Sequence, residues 1–506
     1  MELRERALQV WSVRAGSLGA IGRIQYKHLV AAVFVIGLFM DLLDMTITNV
    51  ALPTLATQFG ASTTAIEWVV TGYLLSLAVF IPVSGWAGDR FGTKRIFMFA
   101  LSVFILASLL CAVAWSVETL IAFRVLQGVG GGMLTPVGTA MLFRAFPPAE
   151  RAQAAAVLTI PAALAPASGP VLGGYLVEFH SWHWIFLVNI PVGITGLLLA
   201  GLFLREEKQA TAGRLDIRGF LLGAAGLASV MYALAEAGPH GFGDQRVLFF
   251  GISGLALTAV FALVELRTKL PMIDVRLLRD KLFRSANAVQ IVGYASFAGT
   301  LFLLPLLLQE EKGFTPLESG LTTFPQAIGV VMMAQLAGRI YPRVGPRRMM
   351  MAGMAGAALT SFAFLLVDLQ TSRWWIQFIL LARGWSFALT LVPLQAATFA
   401  TIRPADTGRA SAVFNANRQV AASLGVALLA TVLINRLTHH GAVLSSAATS
   451  GGALLAFHDA FIAAAALAVL GFFLSLLLDD KEAARAVRQR EAVGTPLDRT
   501  LERRPL

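Results

Sequence analysis

The chain is a succession of uncharged apolar runs, and that pattern limits its fold more than any other feature. A helix crossing a bilayer needs about 20 mostly apolar residues. Fourteen runs of that kind occur, at 29–52, 66–86, 96–114, 118–141, 153–177, 185–204, 219–237, 247–266, 287–308, 319–340, 349–367, 374–398, 411–435 and 457–478. In hydrocarbon a backbone must satisfy its own hydrogen bonds, so only helices and closed barrels can span. Barrel strands alternate apolar and polar residues over about 10 positions, and these runs do not. The expectation is an all-α membrane protein, a compact bundle of 14 transmembrane helices joined by short loops. Composition agrees, since only 14% of residues are charged against about 25% in soluble domains.

The placement of charge sets the orientation. With the N-terminus inside, 33 of the 40 Lys and Arg fall on cytoplasmic segments and four (Arg246, Lys312, Arg373, Arg436) on the opposite loops. Arg124, Arg383 and Arg418 lie inside spans. The positive-inside rule then puts both termini in the cytoplasm of a multi-pass cell-membrane protein. The tail 1–28 mixes charges and lacks an apolar core, so it reads as a retained cytoplasmic tail rather than a cleaved signal. A net charge of +11 invites a nucleic-acid role. The charge is spread over eight segments instead of one stripe, which argues against it. Cys111 is the single cysteine, so no intrachain disulfide or cysteine zinc site can form, and no metal site is expected.

The sequence repeats internally. GWAGDRFGTKR (85–95) aligns with GRIYPRVGPRR (338–348), and PAERAQAAAV (148–157) echoes PADTGRASAV (404–413). Each pair sits between corresponding helices of its half. Parallel repeats of this kind are found in transporters that rock about a central site. The domains expected are a six-helix half over 29–204, two inserted helices with flanking loops over 205–286, a second six-helix half over 287–478 and a cytoplasmic tail over 479–506.

At the level of motifs the chain resembles the major facilitator superfamily, in its fourteen-helix drug–proton antiporter branch. LDMTITNVALP (43–53) is similar to that branch's first-helix signature. The loop 85–95 resembles the superfamily's conformational latch, with Gly85, Asp89, Arg90, Gly92, Lys94 and Arg95 in place. LIAFRVLQGVGGG (120–132) resembles the fourth-helix motif through Arg124, Gln127 and Gly128. ALAPASGPVLGGYL (163–176) resembles the antiporter motif of the fifth helix through Gly169, Pro170, Gly173 and Gly174. WHWIFLVNIPVG (182–193) and NANRQVAASLGVA (415–427) agree as well. The chain departs from the pattern at Ala165, at His183, at the extra acid Asp41 and at Pro342, which stands where the first repeat has Asp89. The resemblance implies a major facilitator fold of two six-helix halves plus two inserted helices. It also implies proton-coupled export of lipophilic, often cationic drugs or dyes, and antibiotic resistance.

The residues support a site independently. A carboxylate near mid-membrane costs roughly 2.5–3.5 kcal/mol on insertion scales, yet span 1 carries Asp41 and Asp44. At 1.5 Å per residue, Asp44 lies about 12 Å and Asp41 about 16 Å inside the outer end, and Arg124 about 9 Å from the same face. Asp41, Asp44 and Thr48 share one helix face, which must point away from lipid. They are candidates for proton coupling and substrate binding with Arg124 and Gln127; a purely structural ion pair is the alternative. Ser411, Asn415 and Arg418 share a face of span 13 and are further cavity candidates. Asp89 is expected to accept from an arginine or a helix N-terminus of the other half. Gly169 and Gly173, with Pro166 and Pro170, offer a smooth, bendable face for sliding against that half. The run GVGGG (128–132) lacks the third glycine of a dinucleotide fingerprint, Met133 being there, and reads as close helix packing.

No phosphate-loop sequence is present, so the expected energy source is the proton gradient and no cofactor is required. The expected partners are small-molecule substrates, protons and the lipid bilayer, with the chain acting as a monomer. A dedicated exporter of one natural product, lipid or sugar is the alternative on the same fold. A membrane enzyme or receptor is remote, since no HExxH, nucleophile elbow or sizeable soluble domain occurs.

Overall fold

The computed structural model describes residues 26–146, 151–208, 216–268, 271, 274–402, 407–442, 451–478 and 480. Fourteen long helices follow one another in the order expected. The first half comprises α1 (Tyr26–Phe59), α2 (Thr63–Phe91), α3 (Thr93–Ala112), α4 (Val117–Ala145), α5 (Arg151–Phe179) and α6 (Trp184–Phe203). Then come α7 (Ile217–His240) and α8 (Gln245–Arg267). The second half comprises α9 (Lys281–Leu306), α10 (Pro316–Val344), α11 (Pro346–Ala363), α12 (Arg373–Ala400), α13 (Thr407–His439) and α14 (Gly451–Ser475). By their described residues, thirteen are long and apolar enough to cross a membrane, and α5 is the fourteenth. The chain is a multi-pass membrane protein. The terminal tails lie almost wholly outside the described residues, as do 148–150 and 404–406 of the second echo.

Local chemistry sets the ends of these helices. Ser116 and Thr119 cap each other at the start of α4, and Thr315 and Glu318 do so at α10, so orphan N–H groups find side-chain oxygens. Asp216, Asp244 and Asp280 cap α7, α8 and α9. Prolines stand inside α1, α2, α4, α9 and α12 at Pro53, Pro82, Pro136, Pro305 and Pro393. Each removes a backbone donor mid-helix.

The internal repeat is visible as geometry. The α2–α3 and α10–α11 turns both pivot on a glycine with positive φ, 103° at Gly92 and 83° at Gly345. A carboxylate from just beyond the sixth helix of each half then meets the new helix. Glu206 accepts from Lys94 N at 3.2 Å, and Asp480 from Arg347 N at 2.8 Å.

Within the first half α4 packs on α2 and α3, and α5 on α1; within the second, α12 packs on α10 and α11, and α9 on α13 and α14. The halves meet through α5 against α10 and α2 against α13. The inserted pair divides in role. Helix α7 packs on α13 and α2, with the Thr431 hydroxyl donating to Leu234 O at 2.6 Å and Phe80 meeting Phe220 edge-on at 5.5 Å. Helix α8 packs chiefly on α7 and exposes Phe249, Ile252 and Leu255, a face suited to lipid.

Candidate functional site

Both acids of α1 are buried, and their surroundings differ. The Asp44 carboxylate accepts from Arg124 Nη1, from Gln127 Nε2 at 2.9 Å and from Asn189 Nδ2 of α6 at 2.9 Å. Arg124 also donates to Gln127 Oε1 at 2.6 Å and through Nε to Val69 O at 3.2 Å. Gln127 donates onward to Ser108 Oγ at 2.8 Å. The guanidinium lies 4.1 Å from the centre of the Tyr73 ring, a cation–π contact. Five helices, α1 to α4 and α6, therefore converge on one network in which the Asp44 carboxylate is met by three donors. Such a network fixes α1 against α4 and α6.

Asp41 lies one turn away and 5% exposed. Among the described residues it accepts only from hydroxyls, Tyr73 at 2.8 Å and Thr135 at 3.2 Å. Gly131 makes room for it: a Cβ there would stand 2.8 Å from Asp41 Oδ1. The glycine run of α4 is thus a packing device, as its sequence implied, with Gly128 against the Tyr73 carbonyl and Gly130 against that of Ala100. Arg418 of α13 faces the Tyr294 hydroxyl and acts electrostatically on Asp41 from the other half.

The structure brings Asp41, Asp44, Arg124 and Gln127 together. Thr48 joins only through the backbone, its hydroxyl donating to Asp44 O at 2.9 Å. Asn415 does not join; its amide turns back to Ser411 O at 2.9 Å and Ser411 Oγ at 3.2 Å. Asn189, Ser108, Tyr73 and Thr135 belong to the site and were not picked from the sequence. Their signal was weak, because a neutral polar residue is tolerated in a span that a charge would disturb. A further acid was missed. Glu67 is fully buried, 3.5 Å from the Thr71 hydroxyl, with Oε2 unpartnered among the described residues.

Among the described residues, the loop 85–95 bonds to α4, to the end of α6 and to the segment just beyond it. Of the two partners expected for Asp89, an arginine or a helix N-terminus of the other half, it meets the arginine: Arg144 of α4, in its own half, donates to it at 2.8 Å. Arg95 pairs with Glu206 at 3.5 Å, and Lys94 Nζ donates to Gly201 O and Leu204 O at 2.8 and 2.7 Å, capping the C-terminus of α6. Arg90 and Gly85 are exposed.

The fifth-helix motif also divides. Gly169 and Gly173 press on α1 at Thr46 and Ile47 rather than on the other half. The contact with α10 belongs to Pro170 and Gly174: Gly320 lies against Pro170 O, and Gly174 against Pro316 O and Leu317. Hydrogen bonds between the halves lie on the face opposite the termini, from Gln309 Nε2 to Val50 O at 2.8 Å and from Leu317 N to Glu178 Oε2 at 3.0 Å.

Comparison with known proteins agrees with this architecture. A family profile described as Major Facilitator Superfamily matches residues 34–426. The chain is 37% identical over 413 residues to the "Multidrug resistance protein B homolog" of Mycobacterium tuberculosis (strain ATCC 25618 / H37Rv), covering 81% of this chain and 76% of that one. It is 33% identical over 426 residues to "Putative multidrug resistance protein MdtD" of Serratia proteamaculans (strain 568), covering 84% and 87%. Among solved structures, a POT family transporter with a bound peptide conjugate superposes with TM-score 0.67 at 15% identity, covering 90% of this chain and 96% of the other. An inward-facing, occupied bacterial homolog of the human lysosomal transporter Spinster superposes with TM-score 0.62 at 16% identity, covering 92% and 98%.

Proposed function

This chain belongs to the major facilitator superfamily, and from that premise we propose that it is a proton-coupled antiporter exporting lipophilic, often cationic compounds by alternating access. The names of its relatives support a multidrug transporter rather than an enzyme. The observation that carries the coupling is the unequal setting of the two acids. Asp44 is an anchor, matched by the Arg124 guanidinium and tied to Gln127 and Asn189. Asp41 has only neutral donors beside it. Hydration and neighbouring charge govern whether such a carboxyl keeps its proton, and both change when a cavity opens and closes.

Asp41 is then the exchangeable proton site. A cationic substrate displaces the proton in the inward state, and a proton from outside displaces the substrate in the outward state. Arg418 of the second half acts on the same carboxylate electrostatically, and Asn415 shares its helix face one turn away. A one-for-one exchange of a proton for a monovalent cation moves no net charge, so the pH difference drives it, each pH unit being worth about 1.4 kcal/mol, a tenfold concentration ratio.

The asymmetric Lys and Arg distribution supports cytoplasmic termini on a cell-membrane protein. The inter-half bonds at the opposite face then correspond to an inward-open state. Asp89, Arg90, Lys94 and Arg95 serve the latch, with the Asp89–Arg144 pair free to exchange partners when the cytoplasmic side closes. The Gly174–Gly320 crossing is the surface on which the halves rock. No cofactor takes part, and one chain suffices.

The test uses proteoliposomes loaded with a cationic dye and given a pH gradient. Asp41→Asn is expected to abolish gradient-driven flux and to leave a weakened dye binding that no longer depends on pH. Gradient-driven flux equal to wild type in that variant overturns the assignment.

A further inference from the structure

The second half contains a counterpart of the Asp44 network with the acid missing. Aligning Pro53 of α1 with Pro305 of α9 sets Asp44 on Ser296 and Thr48 on Thr300. The hydrogen bonds follow the same register. Thr48 donates to Asp44 O at 2.9 Å, and Thr300 to Ser296 O at 2.8 Å. Gln127 of α4 donates to Ser108 of α3 at 2.8 Å, and Arg383 of α12 donates to Ser361 of α11 at 2.8 Å. Ser108 and Ser361 stand equally far along the chain from Gly92 and Gly345. Arg383 therefore occupies the place of Gln127, beside a serine instead of an aspartate.

Arg383 is 2% exposed. Among the described residues its Nη groups donate only to neutral oxygens: Ser361 Oγ, Ala357 O, Ser296 O and Thr300 Oγ1. Its Nε is buried and has no partner among the described residues, and no described carboxylate forms an ion pair with it. Buried charges are ordinarily paired, because desolvation without a counter-charge is costly.

Beside this guanidinium lies a cleft lined by Ser296, Phe297, Met354, Phe387 and Thr390. The space left in it is about that of one water molecule. Phe297 and Phe387 stack at 3.7 Å, and both are half-buried. Phe387 meets Tyr294 edge-on at 5.4 Å, and Tyr294 neighbours Arg418, which acts on Asp41. Aromatic rings thus lead from the unpaired guanidinium towards the carboxylates of the first half.

We propose that this cleft is an anion subsite: Arg383 receives the carboxylate or sulfonate of a substrate whose aromatic body lies along Phe297, Phe387 and Met354. The free Nε supplies a charge-assisted hydrogen bond to the incoming oxygen. The rings and the thioether hold an apolar body, and the adaptable Met354 side chain shifts to admit it. The substrate range then includes amphiphilic acids as well as cations. The inference rests on the export reading for what counts as a substrate, but its test reads binding, so it stands or falls without a flux measurement.

The experiment follows thermal unfolding of the full-length purified protein in detergent and chloride-free gluconate buffer. The probes are 2-naphthoate, its neutral amide 2-naphthamide, and chloride. Naphthoate is expected to raise Tm saturably, with naphthamide ineffective. Arg383→Gln is expected to weaken the naphthoate response at least tenfold. Ser296→Asp, which supplies an internal counter-charge where the first half has one, is expected to do the same while unfolding cooperatively; it decides the matter if Arg383→Gln does not fold. Four results overturn the proposal: no wild-type response to naphthoate, equal responses to acid and amide, responses unchanged in the variants, or stabilisation by chloride with naphthoate inert.

Discussion

Arg124 and Arg383 stand in the fourth helix of their respective halves, each buried, yet one faces aspartate and the other serine. The first network is closed: carboxylate, guanidinium and two amides satisfy one another. The second leaves a donor over. Duplication therefore kept the helices and the serine-to-side-chain bonds while the charge balance diverged. A half with a neutralised arginine is suited to holding its own helices together. A half with an unmatched arginine is suited to receiving charge from elsewhere.

The strongest way to break the contrast is to make the first half resemble the second. Asp44→Ser leaves Arg124 buried without a counter-charge, and breaking a buried pair costs about 3–5 kcal/mol. Thermal unfolding in detergent should show that loss; a drop below about 1 kcal/mol would mean that carbonyls alone satisfy a buried arginine here. The converse exchange, Ser296→Asp, should raise stability by about 1.5–3 kcal/mol, the scale of a hydrogen bond to a charged group. No gain in Tm would deny that Ser296 and Asp44 are equivalent places.

The next test concerns the seam between the halves. Gly320→Val puts a branched side chain against Pro170 O, where even a Cβ has no room. Overpacking of this kind costs about 1–3 kcal/mol, and dye flux in proteoliposomes should fall with it. Gly338→Ala, in open space, should leave both unchanged. The smallest effect on stability is expected from Asp41→Asn. It keeps an acceptor for the Tyr73 hydroxyl and should shift stability by under about 1 kcal/mol, while flux loses its dependence on the pH gradient. Equal losses of stability in Asp41→Asn and Asp44→Asn would erase the distinction between the two acids.

All fourteen spans were legible because hydrocarbon demands runs of about 20 apolar residues. Their ends were read less well, some too long, as at Ala112 and Ser475 where 114 and 478 were expected, and some too short. Helix α1 continues to Phe59 beyond the expected 52, and α13 begins at Thr407 before the expected 411, because hydrogen bonding persists past the apolar stretch. Asp44 and Arg124 were legible from the cost of charge in a span and from equal depth. The closing partners Asn189 and Ser108 were not, since a neutral amide or hydroxyl leaves no comparable mark in a helix. Asn415 shows the opposite error: spacing placed it on the right face, but its amide found an acceptor one turn back. The equivalence of Ser296 with Asp44 needed three dimensions, because serine carries nothing of aspartate's chemistry.

The carboxylates at the starts of α3 and α11 have one more consequence. In each half the chain, having made six crossings, returns to clasp the third helix where it begins, through Glu206 in one case and Asp480 in the other. The sixth helix is therefore a fastener as well as an outer wall. A chain cut at residue 478 would keep every crossing and still lose the clasp on its second half, so such a truncation should loosen that half selectively and leave the first untouched.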